Sequence, residues 1–340
     1  MALRSGDCPG IEDNVSASDD TMTKKIIFHV GPHKTGTTSI QAMLFSQSRS
    51  KNCEFVYPFT SPGEIGQHDF ARLACSPDQS AFLEKLGILK SLTKTCVLSS
   101  EELCYLPAAG MRSLRDAVPD AHVTIVYYQR DVLSLLYSWW QETIKHGSVQ
   151  TLSDFALRCI LAPYHLHLFV PDALLGGWAS VFGREAIRIF RYDHIPDVAK
   201  HFAYNILALD LPAESLSPSN RSYDQIDCEM MRFWNRQGFW GAGLVQASGY
   251  PGIRAQFAAR CDAFTETFHL SYRRSEFSEI ENSLISRWHD RIEGYDGGPL
   301  FTTREKAYSY IHPDVWAVDP GLITEMRAFA QQHPEFSRQR

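Results

Sequence analysis

Lys24-Lys25-Ile26-Ile27-Phe28-His29-Val30-Gly31-Pro32-His33-Lys34-Thr35-Gly36-Thr37-Thr38-Ser39 holds the reading of the fold. Its first seven residues form a continuous run, mostly apolar and rich in β-branched side chains, and Gly31-Pro32 stops it. A strand buried on both faces reads this way. Beyond the turn, Ile40, Met43 and Leu44 recur at helical spacing, so the order is strand, loop, helix. Working outward, apolar runs return at 53–57, 95–98, 122–128 and 186–190. Segments of helical period fall among them at 81–92, 111–118 and 131–145. That alternation predicts an α/β fold with a largely parallel sheet flanked by helices. Past Arg191 the pattern turns helical, at 198–207, 225–237, 253–268 and 276–291. No repeat or clear linker divides the chain. We therefore expect one α/β domain over 24–340 with a helical elaboration from about residue 195. Residues 1–23, rich in Ser, Asp and Gly, read as a flexible tail.

Composition narrows the function classes. At 44% hydrophobic and 21% charged residues, the chain can bury a sizeable core and is not a disordered or coiled-coil sequence. A formal charge of −6 argues against holding nucleic acid or an anionic membrane through a general basic field. An anionic ligand must then be gripped by a local site. The eight cysteines are scattered with no C-x-x-C pair, which reads as reduced thiols. With no secretory leader and no apolar run of bilayer length, the sequence-based expectation is a cytoplasmic protein without a transmembrane segment. His165 and His167 lack a third ligand at convincing spacing and sit among Leu and Phe, so we expect packing and no metal.

The loop from Gly31 to Ser39 lies where successive amides and a helix N-terminus make an anion cradle. Its two glycines match the first half of the Walker pattern G-x-x-x-x-G-K-[ST]. Thr37, however, occupies the lysine slot, and the lysine stands three residues earlier at Lys34. Losing the Lys-Ser/Thr pair removes both the γ-phosphate contact and the magnesium ligand of an ATP-using loop, which disfavours a kinase. Lys34 at the mouth and hydroxyls on the first helical turn suit a single 5′-phosphate that carries a leaving bond.

Pro32 to Gln41 read P-H-K-T-G-T-T-S-I-Q, and here the sequence resembles the sulfotransferases that use 3′-phosphoadenosine 5′-phosphosulfate (PAPS), more closely their bacterial branch. The family's second motif is an Arg at a strand end followed eight residues later by a Ser. The run 123–129 leads into Arg130, and Ser138 follows at that spacing. Looser similarities continue through Leu98-Ser99-Ser100-Glu101, Arg191-Tyr192-Asp193 and Asn220-Arg221-Ser222, so the resemblance spans roughly residues 24 to 290. It implies a five-stranded parallel sheet related to nucleotide kinases, with PAPS as the cofactor and adenosine 3′,5′-bisphosphate (PAP) as its product, bound across the C-terminal strand ends. On this resemblance His33, Lys34, Thr35, Gly36, Thr37 and Thr38 bind the 5′-phosphate side, Arg130 and Ser138 hold the 3′-phosphate, and Lys34 stabilises the leaving phosphate. A rigid guanidinium beside a helix N-terminus, with a hydroxyl two turns in, can grip a dianion.

An acceptor hydroxyl needs a base within reach, and three candidates stand open: Glu101 after the strand at 95–98, His68 opening a helical segment, and His33 in the loop. Glu101 and His68 lead; Glu102 is the close decoy. Trp139, Trp140, Tyr127 and Tyr128 either wall a sugar or ring acceptor or, as is commoner for aromatic residues on a strand and the helix after it, belong to the core, and Asn220, Arg221 and Ser222 either close over the nucleotide or simply precede the helix at 225. The acceptor expected is a small molecule or glycan: a carbohydrate, glycolipid or small metabolite. A nucleotide-binding protein that kept the fold without transfer is the alternative, and a divergent kinase would betray itself by needing magnesium.

Overall fold

The computed structural model of the chain describes residues 24–211, 223–271, 276–303, 305–312, 315–318 and 320–338. Five parallel strands make the central sheet: β1 (Lys25–His29), β2 (Phe55–Val56), β3 (Thr95–Ser99), β4 (His122–Gln129) and β5 (Ile187–Arg191), in the order β2-β3-β1-β4-β5. Interleaved are α1 (Thr37–Gln47), α2 (His68–Ala74), α3 (Ser80–Ser91), α4 (Ala108–Ala117), α5 (Val132–Lys145), α6 (Leu152–Leu161), α7 (Pro171–Phe182) and α8 (Val198–Leu207). The expected α/β class, a parallel sheet flanked by helices, is what forms.

The two-sided burial of β1 follows its sequence. Ile26 and Phe28 enter one core layer beneath α3, α4 and α7, while Ile27 enters the other with α1 and α8, and none of the three is exposed. Their neighbours alternate in step: Cys96 and Leu98 against Val97 on β3, and Ile125 and Tyr127 against Val126 and Tyr128 on β4. Phe28 packs on Trp178 at 5.2 Å and Phe182 at 5.6 Å, and truncating a ring so enclosed costs about 3–5 kcal/mol. Trp140, Tyr127 and Tyr128 are core, as expected; Trp139 is only half-buried.

The chain leaves β1 toward β2 and β3 on one side and later adds β4 and β5 on the other. The loops after β1 and β4 therefore diverge at adjacent strand ends, the crevice where open α/β sheets take ligands.

After residue 223 come α9 (Gln225–Arg236), α10 (Gly241–Leu244), α11 (Tyr250–Cys261), β6 (Thr265–Ser271), α12 (Glu276–Trp288), β7 (Glu305–Ile311), α13 (Val315–Val318) and α14 (Pro320–Gln331). Helix α9 begins with a reciprocal capping box between Asp224 and Asp227. Trp316 stacks between Phe233 at 4.1 Å and Phe257 at 4.9 Å in a separate core. One correction falls here: the expected helix at 253–268 ends at Cys261, and Thr265–Ser271 pairs antiparallel with Glu305–Ile311. Helical spacing continues through Phe257, Cys261 and Phe264 into Phe268, but Thr265 and Thr267 are β-branched and the pairing partner lies more than thirty residues on.

No helix among the described residues is long and apolar enough to cross a membrane. Every described cysteine is a free thiol, and burial pushes those of Cys96 and Cys159 up to about 12.

Candidate active site

The loop after β1 is shaped by three left-handed residues, Gly31 (φ 85°), Lys34 (φ 67°) and Gly36 (φ 71°). Such residues turn successive amides to one concave side. The amides of Lys34, Thr35, Gly36, Thr37 and Thr38 find no acceptor among the described residues, so the cradle offers five donors at the start of α1. Thr35 is fully buried and its hydroxyl donates to the Pro32 carbonyl at 2.6 Å. That hydroxyl braces the loop, leaving the residue's amide for a ligand. Thr37 is also buried, and Thr38 is half-buried on the first helical turn.

Two cations meet at this loop. Arg130, one residue past β4, donates through Nη1 to the Lys34 carbonyl and lies over the Tyr192 ring at 5.2 Å, while its buried Nε has no partner. The side chain of Lys34 reaches α5, where Nζ donates to Glu142 Oε2 at 3.0 Å. Lys145 meets the same oxygen at 3.0 Å, and His146 meets Oε1 at 3.1 Å. Burial works against the charge of Glu142, but Lys34 and Lys145 overcome it and hold the carboxyl at about 2.

Ser138 is half-buried on α5, one turn before Glu142. Ser134, one turn earlier still, accepts a hydrogen bond from Lys306 Nζ at 2.9 Å. Lys306 comes from β7. Burial lowers its pKa, with Asp131 opposing and Arg130 reinforcing the shift, which puts a second cation beside Arg130. Asp131 caps α5 through Leu133 and Ser134 and accepts from the Thr303 amide at 2.8 Å, tying the segment before β7 to this corner. The face of α5 thus runs from Ser134 with Lys306, through Ser138, to Glu142 with Lys34, at i, i+4, i+8 spacing.

On the other flank the three base candidates converge. Glu101 Oε1 stands 3.9 Å from His33 Nδ1, and Oε2 stands 3.8 Å from His68 Nδ1. Gln41, buried on α1, donates to Glu101 Oε2 at 2.8 Å. His68 is also tied to Ser100 Oγ at 3.0 Å, and its Nε2 lies against Gly66, where a Cβ would come within 2.5 Å. Burial pushes the His33 imidazole below its ordinary value, against the pull of Glu101, Glu102 and Glu142. The His33 ring faces Trp139 at 5.0 Å and Tyr105 at 6.0 Å. Glu102 acts on His33 through its charge alone, while its amide donates to Ser100 Oγ.

The loop, Arg130, Ser138, His33, His68 and Glu101 therefore lie along the C-terminal ends of β3, β1 and β4 and on the helices that follow. Sequence reading missed Gln41, Glu142 and Lys306, and it left Trp139, half-buried here, between core and an aromatic wall. Gln41 and Tyr192 stood inside the quoted motifs; nothing in sequence spacing points to Glu142 or Lys306. Asn220, Arg221 and Ser222, and the side chains of His165 and His167, lie outside the described residues.

No family model and no curated protein matches the chain. Among solved structures the chain is similar to a sulfotransferase from Alicyclobacillus acidocaldarius, 16% identical, with 67% of this chain and 99% of that chain covered and a TM-score of 0.38. The fold stands on the strands and loops themselves: an α/β architecture whose five-stranded parallel sheet carries a loop of open backbone amides at its C-terminal edge.

Proposed function

We propose that the protein is a PAPS-dependent sulfotransferase acting on an acceptor hydroxyl of a carbohydrate, glycolipid or small metabolite. One observation carries the reading: five open amides and Lys34 form an anion site that Arg130 ties to the end of β4, with Glu101 on its acceptor flank. The donor supplies a sulfuryl group on a phosphate that can leave. Lys34 and the amides of 34–38 stabilise the negative charge that grows on that phosphate as its bond to sulfur breaks. Arg130, Ser138 and Lys306 hold a second phosphate along α5, fixing the register of the donor. Glu101 accepts the acceptor's proton as the new oxygen–sulfur bond forms. It is favoured over His68 because His68 is tied to Ser100 and Gly66, whereas Glu101 stands at the hub with Gln41 steadying one oxygen. His33, half-buried and below its ordinary pKa, lines the acceptor flank with Trp139. A protein cation in place of a metal suits a transferred group that carries less charge than a phosphoryl group.

Calorimetric titration with PAP in the absence of magnesium, beside ATP and the Lys34→Ala and Arg130→Ala variants, tests the reading. Tight PAP binding that weakens in both variants, followed by transfer of label from PAPS to an acceptor, supports it. Preference for magnesium-ATP, or no PAP binding by the folded wild-type protein, refutes it. Binding without transfer to any acceptor would favour the non-catalytic nucleotide-binding alternative.

A further inference from the structure

The residues at the end of β5 face two ways. Tyr192 and Asp193 turn toward the loop site: Tyr192 lies under Arg130, and Asp193 Oδ2 accepts from the Asp131 amide at 2.5 Å. Arg191 and His194 turn outward, into a cavity of about 220 Å³ between β5, α8 and the turn at 293–294. Phe190 and Ile195 give this cavity an apolar wall, and Arg188 and Glu293 stand at its side.

The charges here are unevenly matched. Arg188 is satisfied, with Nε donating to Glu293 at 2.8 Å and Nη1 to the Asn205 carbonyl at 3.2 Å. Arg191 is not: one long contact runs from Nη2 to the Pro299 carbonyl at 3.4 Å, and Nε is buried with no acceptor. Asp296 feels both Arg191 and His194 but makes no ion pair with either, and its oxygen is engaged by the Gly298 amide. A guanidinium held partly out of water with so little compensation favours an anion, and its planar fork matches a tetrahedral oxyanion. The imidazole of His194 adds a donor on the same side, and the Phe190 ring, lining the cavity beneath the Arg188 guanidinium at 5.1 Å and edge-on to His201 at 4.7 Å, gives the wall its apolar part together with Ile195.

We infer that this cavity is a second anion site, separate from the loop, that takes a small phosphate or sulfate monoester: the oxyanion on Arg191 and His194, the organic group on Phe190 and Ile195. The inference stands independently of the sulfotransferase reading.

The test is calorimetry on the full chain with phenyl phosphate, phenyl sulfate and inorganic phosphate. It is run in a Lys34→Ala/Arg130→Ala background, so that the loop does not compete. Expected is one site that survives in that background, prefers at least one ester to inorganic phosphate, and weakens roughly tenfold or more when Arg191→Gln is added. His194→Gln should weaken it by a smaller factor. Inorganic phosphate binding as tightly as both esters, loss of all binding in the background variant, or indifference to Arg191→Gln would each overturn the proposal. Because those variants alter folded contacts, a second measurement uses the wild-type chain. The Nε–H resonance assigned to Arg191 by its loss in Arg191→Lys should shift on adding the preferred ester, and an unmoved resonance overturns the site.

Discussion

Replacing Gly36 by alanine should destabilise the protein by about 2–5 kcal/mol, and the figure can be built from two separate causes. Gly36 has φ 71°, in the left-handed region, where a Cβ costs roughly 1–2 kcal/mol. An added Cβ would also stand 2.4 Å from Val198 Cγ1 and 3.6 Å from Tyr192 Cε2. Val198 is 7% exposed and opens α8 within the core that also holds Ile40 and Phe202, so it cannot swing into solvent. Overpacking of this kind costs roughly 1–3 kcal/mol. The second cause is removable: Val198→Ala deletes the clashing methyl. Gly36→Ala/Val198→Ala should therefore be more stable than the sum of the two single effects predicts, by roughly 1–3 kcal/mol. Urea unfolding at pH 7 of the wild type, both single variants and the double variant gives the cycle. Gly36→Ala within about 0.5 kcal/mol of wild type, a change ordinary for an unconstrained surface site, would refute the reasoning. So would a cycle with no coupling, since the clash would then not be the cause.

Glu142 is held at about 2 against an ordinary 4.5, so its stabilising contribution is fully present above pH 4.5 and fades as pH falls toward 2. Glu142→Gln should lower stability at pH 7 by at most roughly 3 kcal/mol and flatten the loss between pH 5 and about 2; an unchanged acid limb in chemical unfolding would contradict this. Lys306→Ala should weaken PAP binding by about tenfold and reduce its salt dependence, because it removes one charged contact beside Arg130; calorimetry at two ionic strengths checks both. Glu229 and Arg232 form a buried pair at 2.6 Å, with the Trp316 indole also donating to Glu229 at 2.6 Å. Arg232→Met strands that carboxylate and should cost about 3–5 kcal/mol, read from the shift of the urea midpoint.

Much of the loop after β1 was legible because it is local in sequence. A buried strand, a loop and a helix occupy two dozen consecutive residues, and the chemistry of Lys34 and the glycines needs no distant partner to be recognised. Arg130 and Ser138 were named from the family resemblance, and they stand at the strand end and on the helix that it implied. The base candidates were each named, but not their meeting: His33, His68 and Glu101 are more than thirty residues apart in turn, and only the order β3-β1 brings their loops together. Lys306 was invisible for a related reason. It reaches Ser134 only because Thr265–Ser271 leaves the helical pattern to pair with Glu305–Ile311, with Leu270 opposite Lys306. Non-local pairing of that sort has no periodic signature. Trp139 stayed open between core and acceptor wall because an aromatic residue on an amphipathic helix looks the same whether it faces a core or a crevice.

Helix α5 has a second set of attachments behind its charged face. Asn235 of α9 donates to the carbonyls of Ile144 and Ser148 at 2.8 and 3.0 Å, Gln141 donates to the Tyr223 carbonyl at 2.6 Å, and the Trp240 indole reaches the Lys145 carbonyl at 3.3 Å. Glu142 and Ser138 are therefore anchored from the later third of the chain, as is Ser134 through Lys306. For anyone engineering this protein, that third is not an exchangeable module. Replacing it with a foreign segment would withdraw the scaffold on which Lys34 rests, however faithfully the loop itself were kept.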